Sequence, residues 1–229
     1  SDLYNSAAIK YAHAPNVYLM FPSLYQHGPD TLDIRLAVSR DGIRWSRPDR
    51  KTAFIALGKG NVFDSGSLYM GQGMIRVGDE LWLYYSGSPL RHQGAELENL
   101  TKPENARVYS RVVARLDRFV AATAGPKGGS FTSPPLRFTG NRLHLNVRVH
   151  SGGRMRIGLL DAEGRPLPKF SVSECVPITG DSLSKAVEWK GGSDVGARAT
   201  KPTRLRIEMS DARLFGFQFT FRKSQGKRR

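Results

Sequence analysis

Apolar positions along this chain come in short runs, not in long helical stripes. Residues 17–21 (Val-Tyr-Leu-Met-Phe), 32–38, 74–77 and 81–85 (Leu-Trp-Leu-Tyr-Tyr) are rich in branched and aromatic side chains and bounded by Gly, Pro, Asn and Asp, the punctuation of β-strands. Only a short stretch near 95–99 hints at a helical period. In the second half the alternation is stricter. Residues 143–149, 155–159, 205–209 and 214–221 put apolar side chains on one face and Arg, His and Asn on the other, as the two-residue period of a half-buried strand requires. Turn signals at Ser151-Gly-Gly153, Ala162-Glu-Gly164 and Gly191-Gly-Ser193 separate them. The pattern predicts an all-β chain.

The first half also repeats. One copy opens at Asp2-Leu-Tyr-Asn5 and passes through the aromatic strand at 16–23 to the strand at 32–38. The second opens at Asp64-Ser-Gly-Ser-Leu-Tyr69 and passes through 79–87 to 107–114. A repeat of roughly 40–60 residues with up to four strands is a propeller-blade signature, with a generic antiparallel sheet as the alternative. The first copy ends in Ser39-Arg-Asp-Gly-Ile-Arg-Trp45. Asp-Gly there predicts a hairpin, because glycine accepts a positive φ, and Trp45 is placed to close it. The corresponding segment of the second copy, 115–119, is degenerate. The small, Gly-rich segment 121–129 reads as a linker. The expected organisation is therefore a partial β-propeller of about two blades over 1–123, a jelly-roll-like β-sandwich over 124–222, and a basic tail over 223–229.

Charge changes this picture mainly in the second half. The net charge is +15, with 15 basic and 12 acidic residues through position 123 and 20 and 8 beyond it. Outward Arg148, Arg154, Arg156, Arg204 and Arg206 and the basic tail account for much of the excess. Solvated strand faces explain such charge; so does a surface for an acidic polysaccharide or a nucleic acid. No recognition helix, zinc pattern or RNA-binding signature accompanies it, so no nucleic acid is expected. No apolar run reaches the roughly 18–20 residues of a membrane span. The single cysteine, Cys175, excludes an intrachain disulfide and a Cys-based zinc site, and its apolar neighbours predict a buried, inert thiol. His13, His27, His144 and His150 lack metal spacing, so no tightly held metal or other cofactor is expected. Ser65 lacks the Gly-x-Ser-x-Gly frame of a nucleophile elbow, and Gly71-Gln-Gly73 lacks the rest of a dinucleotide fingerprint.

The Ser-x-Asp-Gly-x-x-Trp hairpin, the aspartate opening an inner strand, and the stretches Phe63-Asp-Ser-Gly-Ser-Leu-Tyr-Met-Gly-Gln-Gly73 and Leu81-Trp-Leu-Tyr-Tyr-Ser-Gly87 together resemble the five-bladed propellers of glycoside hydrolase families 43 and 32 and their relatives. The resemblance runs through motifs over about residues 1–123 and through domain order beyond. It implies a glycoside hydrolase acting on an oligo- or polysaccharide, with catalytic carboxyl groups on successive blades. Five blades need roughly 250–300 residues at this repeat length. The chain therefore reads as the C-terminal portion of a longer protein, or as one needing a partner chain for the missing blades.

Glycosidic hydrolysis uses two carboxyl groups flanking the scissile bond, about 5–5.5 Å apart in retaining enzymes and about 6.5–9.5 Å in inverting ones. Inner strands of different blades converge at one mouth, so the repeat-equivalent Asp2 and Asp64 are the catalytic candidates. Tyr4, Asn5, Tyr69 and Gln72 are candidates to stack on a sugar ring or hydrogen-bond its hydroxyls. Arg91 and His92, in the loop Pro89-Leu-Arg-His-Gln-Gly94, can reach a substrate from a strand end. Glu96, Glu98 and Glu104 are weaker candidates for a general acid. A non-catalytic carbohydrate-binding protein is the alternative reading.

Overall fold

The computed structural model describes residues 2–60, 62–93 and 107–221. It is all-β: among those residues there is no α-helix, only a 3-10 turn at Gly196–Arg198. No helix among them is long and apolar enough to cross a membrane. The chain divides into two compact units, Ser1–Leu116 and Asp117–Arg229. The boundary comes at 116/117 rather than at 123/124. The predicted linker is in fact part of the second unit, because Ala122–Ala124 pairs there as a strand.

In the first unit, strands β1 (Asp2–Tyr4), β2 (Ile9–Lys10), β3 (Tyr18–Met20), β4 (Ser23–Gln26), β5 (Thr31–Ile34), β6 (Ala37–Ser39) and β7 (Trp45–Ser46) come from the first repeat copy. Strands β8 (Ser67–Met70), β9 (Ile75–Val77), β10 (Glu80–Ser88) and β11 (Val108–Arg115) come from the second. The predicted run 32–38 crosses between two sheets, and the chain does the same just after the run 17–21, between β3 and β4. β3 and β6 pair in a four-stranded sheet, β2-β3-β6-β7, whereas β4 and β5 pair in a seven-stranded sheet. The break falls at Pro22, which has no N–H for the ladder. Its carbonyl instead accepts the Arg35 N–H at 2.8 Å, so both strands change sheet at one level. Beside the break, Arg35 and Asp33 form a buried two-pronged ion pair, with Nη2 to Oδ2 at 2.7 Å, and the third Arg35 nitrogen, Nη1, donates to the Lys51 carbonyl at 3.0 Å.

The repeat predicts one sheet per copy, but both copies share the seven-stranded sheet. Its order is β1-β4-β5-β8-β10-β11, with β9 on β10. The join is a parallel pairing of β5 with β8 at Leu32↔Ser67, where Leu32 N–H donates to the Gly66 carbonyl at 3.2 Å. Leu32, Ile34, Leu68, Met70, Leu81 and Leu83 are buried across the join, which supplies the apolar area that a single hydrogen-bonded pair lacks.

The Ser39–Trp45 hairpin forms as its residues dictate. Ser39 Oγ accepts the N–H groups of Asp41 and Gly42, and Asp41 Oδ1 accepts those of Ile43 (2.9 Å) and Arg44 (2.8 Å). Gly42 takes φ 77°. Trp45 returns opposite Ser39 and donates its indole N–H to the Gly42 carbonyl.

The second unit is built on one five-stranded sheet. β14 (Arg142–Leu160) and β16 (Arg204–Thr220) pair along their length. β15 (Gly180–Ala186) lies on the far edge of β14; β12 (Ala122–Ala124) and β13 (Gly129–Thr132) lie on β16. Leu143, Leu145, Val147, Met155, Ile157, Leu159, Leu205, Ile207 and Met209 all face inward and are buried, as the alternation predicts. Cys175, Ile178, Val187, Trp189 and Val195 pack onto that face from the segment between β14 and β16. Outside β15, that segment pairs through isolated bridges such as Met155↔Ile178 and Cys175↔Trp189, not through a second ladder. Pro166, Pro168 and Pro177 remove backbone donors along it, which works against a second regular ladder. Cys175 is 2% exposed and burial pushes its thiol pKa up, as expected of an inert thiol.

The turn predicted at Ser151-Gly-Gly153 is not a turn. β14 runs straight through it as a bulge, and β16 runs through Asp211, which has φ 43°. The two irregularities face each other: a Cβ on Gly153 would stand 2.7 Å from the Asp211 carbonyl oxygen. A glycine there lets two backbones approach where a side chain would separate them. The turns predicted at 162–164 and 191–193 do form, with Gly164 and Gly192 at positive φ.

Candidate functional site

Side chains directly opposite each other in a ladder share a sheet face. The pairs Asp2↔Tyr25, Leu32↔Tyr25 and Leu32↔Ser67, with Tyr4 two residues along β1 from Asp2 and Tyr69 two along β8 from Ser67, therefore set Asp2, Tyr4, Tyr25 and Tyr69 on one face of the seven-stranded sheet. The loop after β10 folds onto the same face. His92 lies 5.0 Å from the Tyr4 ring and 4.8 Å from the Tyr25 ring, centroid to centroid. Its Nδ1 is 2.9 Å from the Tyr69 hydroxyl. With that hydroxyl donating, the neutral imidazole carries its proton on Nε2. Three strands and one loop thus bring Tyr4, Tyr25, Tyr69 and His92 into a single aromatic cluster.

Asp30 ties the loop down. It sits in the β4–β5 turn at φ 56°, a conformation that Asp tolerates better than most side chains. Its carboxylate accepts the Tyr25 hydroxyl at 2.8 Å and the Gln93 N–H at 3.1 Å, while its carbonyl accepts the His92 N–H at 3.0 Å. The hydrogen bond to Asp30 is the main cause of a Tyr25 pKa raised above its ordinary value. Burial likewise raises that of Tyr69, against the lowering pull of Arg107, whose guanidinium lies over the Tyr69 ring at 5.1 Å.

The two candidate carboxylates have different partners. Asp2 is exposed on β1 and meets His27 Nε2 at 3.0 Å; the His27 ring in turn packs against Tyr25 at 4.5 Å, tilted by 55°. Asp64 precedes β8 and accepts the Tyr85 hydroxyl at 3.2 Å. It is boxed in by two glycines: a Cβ on Gly58 would overlap its carboxylate, and one on Gly87 would stand 2.8 Å from its Cβ. In sheet order Asp2 and the strand that follows Asp64 are separated by β4 and β5.

The sequence-derived candidates thus separate. Tyr4, Tyr69 and His92 meet in the cluster, and Asp2 joins it through His27. Asn5 sits beside it, donating to the Met70 carbonyl at 2.9 Å. Asp64 is held apart by Tyr85. Gln72 and Arg91 are exposed, and neither hydrogen-bonds to the cluster among the described residues. Glu96, Glu98 and Glu104 lie outside the described residues, as does the basic tail. Sequence reasoning missed Tyr25, His27, Asp30 and Arg107. Asp30 had a local signal, since His27-Gly-Pro-Asp30 between two strands is turn chemistry. Tyr25, only 4% exposed, reads as ordinary core. No protein-family model matches this chain, and no curated protein matches it either.

Proposed function

We propose that this chain is part of a carbohydrate-active protein of the glycoside hydrolase family 43/32-like kind, with residues 1–116 contributing blades of a β-propeller and the second unit an appended β-sandwich. The observation that carries this reading is the convergence of Tyr4, Tyr25, Tyr69 and His92 from separate elements onto one sheet face. Aromatic rings flanked by hydrogen-bonding groups suit the apolar faces and the hydroxyls of a sugar. In the hydrolytic form of the reading, Asp2 and Asp64 supply the carboxyl chemistry, and His92 Nε2–H and the Tyr69 hydroxyl orient the sugar. Two repeat copies make fewer blades than a ring, so this reading calls for further blades from elsewhere.

A second reading, non-catalytic carbohydrate binding, is favoured by the separate partners of Asp2 and Asp64, His27 and Tyr85. One experiment separates the two. The chain is titrated calorimetrically against neutral oligosaccharides of differing sugar and linkage, and the same mixtures are followed for reducing-end release. Binding that Tyr4→Ala or His92→Ala weakens supports the cluster as the site. Hydrolysis lost in Asp2→Asn and Asp64→Asn with binding retained supports the enzyme; binding without hydrolysis supports the second reading. Binding unaffected by Tyr4→Ala and His92→Ala overturns both.

A further inference from the structure

The outer face of the β14–β16 pair, opposite the inward Met155 and Ile157, carries a row of arginines that its own carboxylates do not neutralise. Arg148 stands opposite Arg213, Arg154 opposite Ser210, and Arg156 opposite Glu208; Arg206 and Arg204 follow two and four residues back from Glu208 along β16. At about 3.4 Å per residue, successive rows lie about 7 Å apart. The arginines therefore form a track along the strand axis and not a single point.

The neutralising groups are few. Arg206 has Glu208 at 3.4 Å. Arg148 has Asp181 at 2.9 Å, but that one carboxylate is shared with Arg118. Among the described residues Arg204 donates to the Ala162 and Ser133 carbonyls, neutral acceptors that do not offset its charge. Arg154, Arg156 and Arg213 have no carboxylate partner among the described residues, and Arg154 and Arg213 are exposed. The ladder fixes the spacing of these arginines along the strands, and each planar guanidinium presents its donors in a pre-organised fork that suits carboxylate or sulfate oxygens.

We propose that this face binds a linear acidic polysaccharide, one bearing carboxylate or sulfate groups along its length. The choice of a glycan over other polyanions rests on the carbohydrate reading above and on a feature of the face itself. Phe215 lies beneath the Arg118 guanidinium at 4.7 Å, so its ring is already covered. The arginine rows themselves hold no free phenyl, phenol or indole ring for the base stacking that single-stranded nucleic acids use, and among the described residues no helix projects from the face to enter a groove.

The test uses the full chain and three probes: dextran sulfate, neutral dextran and a 20-base-pair DNA duplex. Dextran sulfate is expected to bind with an affinity that falls as salt rises, and neutral dextran is expected not to bind. Arg154→Ala with Arg156→Ala is expected to weaken dextran sulfate binding about tenfold at low salt and to flatten the salt dependence. Lys227→Ala with Arg228→Ala and Arg229→Ala controls for the basic tail and is expected to change binding less. Far-ultraviolet circular dichroism confirms that each variant folds. The proposal is overturned if the double variant binds like the parent, if the loss follows the tail substitutions, or if the duplex binds as tightly as dextran sulfate. None of these outcomes bears on neutral-sugar binding at the Tyr4–His92 cluster, so the two readings fail separately.

Discussion

Tyr25 and Asp30 share a hydrogen bond of 2.8 Å, and through it a buried strand residue holds the turn that anchors the 92–93 loop. The phenol donates, so the fold favours its protonated form and raises its pKa. The stability it adds is fully present below the ordinary tyrosine value of about 10 and is lost as pH rises through the raised folded value. Spectrophotometric titration near 295 nm should show Tyr25, Tyr69 and Tyr85 among the late tyrosines, with one late tyrosine fewer in Tyr25→Phe and one moved earlier in Asp30→Asn. A late phase of unchanged amplitude in Tyr25→Phe would refute the assignment.

Acid works in the opposite direction. Asp41, Asp161 and Asp194 have pKa values lowered chiefly by backbone N–H donors, those of Arg44, Arg165 and Gly196 respectively. Their contribution is present above the unfolded value of about 3.9 and is lost as pH falls through the depressed folded values. Urea midpoints should therefore drop below about pH 4, and Asp161→Asn should be less stable than the parent at pH 7 while losing less on acidification.

The buried Asp33–Arg35 pair is expected to be costly to break. Asp33→Ala leaves a guanidinium with 8% side-chain exposure without its counter-ion, a loss of about 3–5 kcal/mol. Equilibrium urea unfolding measures it; a loss under about 1 kcal/mol would show that the Arg50 and Lys51 carbonyls are sufficient partners.

Gly153 and Gly152 separate two ways in which a glycine is needed. At Gly153 an added Cβ collides with the Asp211 backbone, and Gly153→Ala should cost about 1–3 kcal/mol. At Gly152 nothing lies within 4 Å, but φ is 79°, so Gly152→Ala should cost only the left-handed strain of about 1–2 kcal/mol. Thermal or urea unfolding of the two variants ranks them, and Gly152→Ala as the more damaging change would contradict the close approach of β14 to β16.

Cys175 should resist thiol reagents. Its sulfur accepts the Ile157 N–H at 3.3 Å inside the core, and its raised pKa leaves little thiolate. Native protein at pH 8 should react with a chromogenic disulfide reagent only at the rate of unfolding, whereas rapid native labelling would mean an open core.

What the sequence reveals here depends on how local the deciding interaction is. The Ser39–Trp45 hairpin is legible because all of its hydrogen bonds close within seven residues. The inward faces of β14 and β16 are legible because alternation alone assigns them. Ser151-Gly-Gly153 misleads because the same residues suit a reverse turn and a bulge, and Asp211, far away in sequence, decides between them. The union of the two repeat copies at Leu32↔Ser67 is hidden for the same reason. At the site, Tyr4, Tyr69 and His92 are readable as residue types in strand and loop positions. Their convergence with Tyr25 depends on the sheet order, which no short motif encodes.

The pairing of β14 with β16 also shapes how the second unit is made. Arg142 meets Thr220 and Leu160 meets Arg204, so a strand synthesised early waits for the last one described before its ladder can close. Such distant pairing is slow. In the interval Leu143, Leu145, Val147, Met155 and Ile157 stand along an unpaired edge, the kind of segment that associates with copies of itself. Arg142, Arg148, Arg154 and Arg156 are interleaved with them along the same strand, and like charges repel neighbouring nascent chains. The basic track thereby protects the folding chain before the sheet that displays it exists.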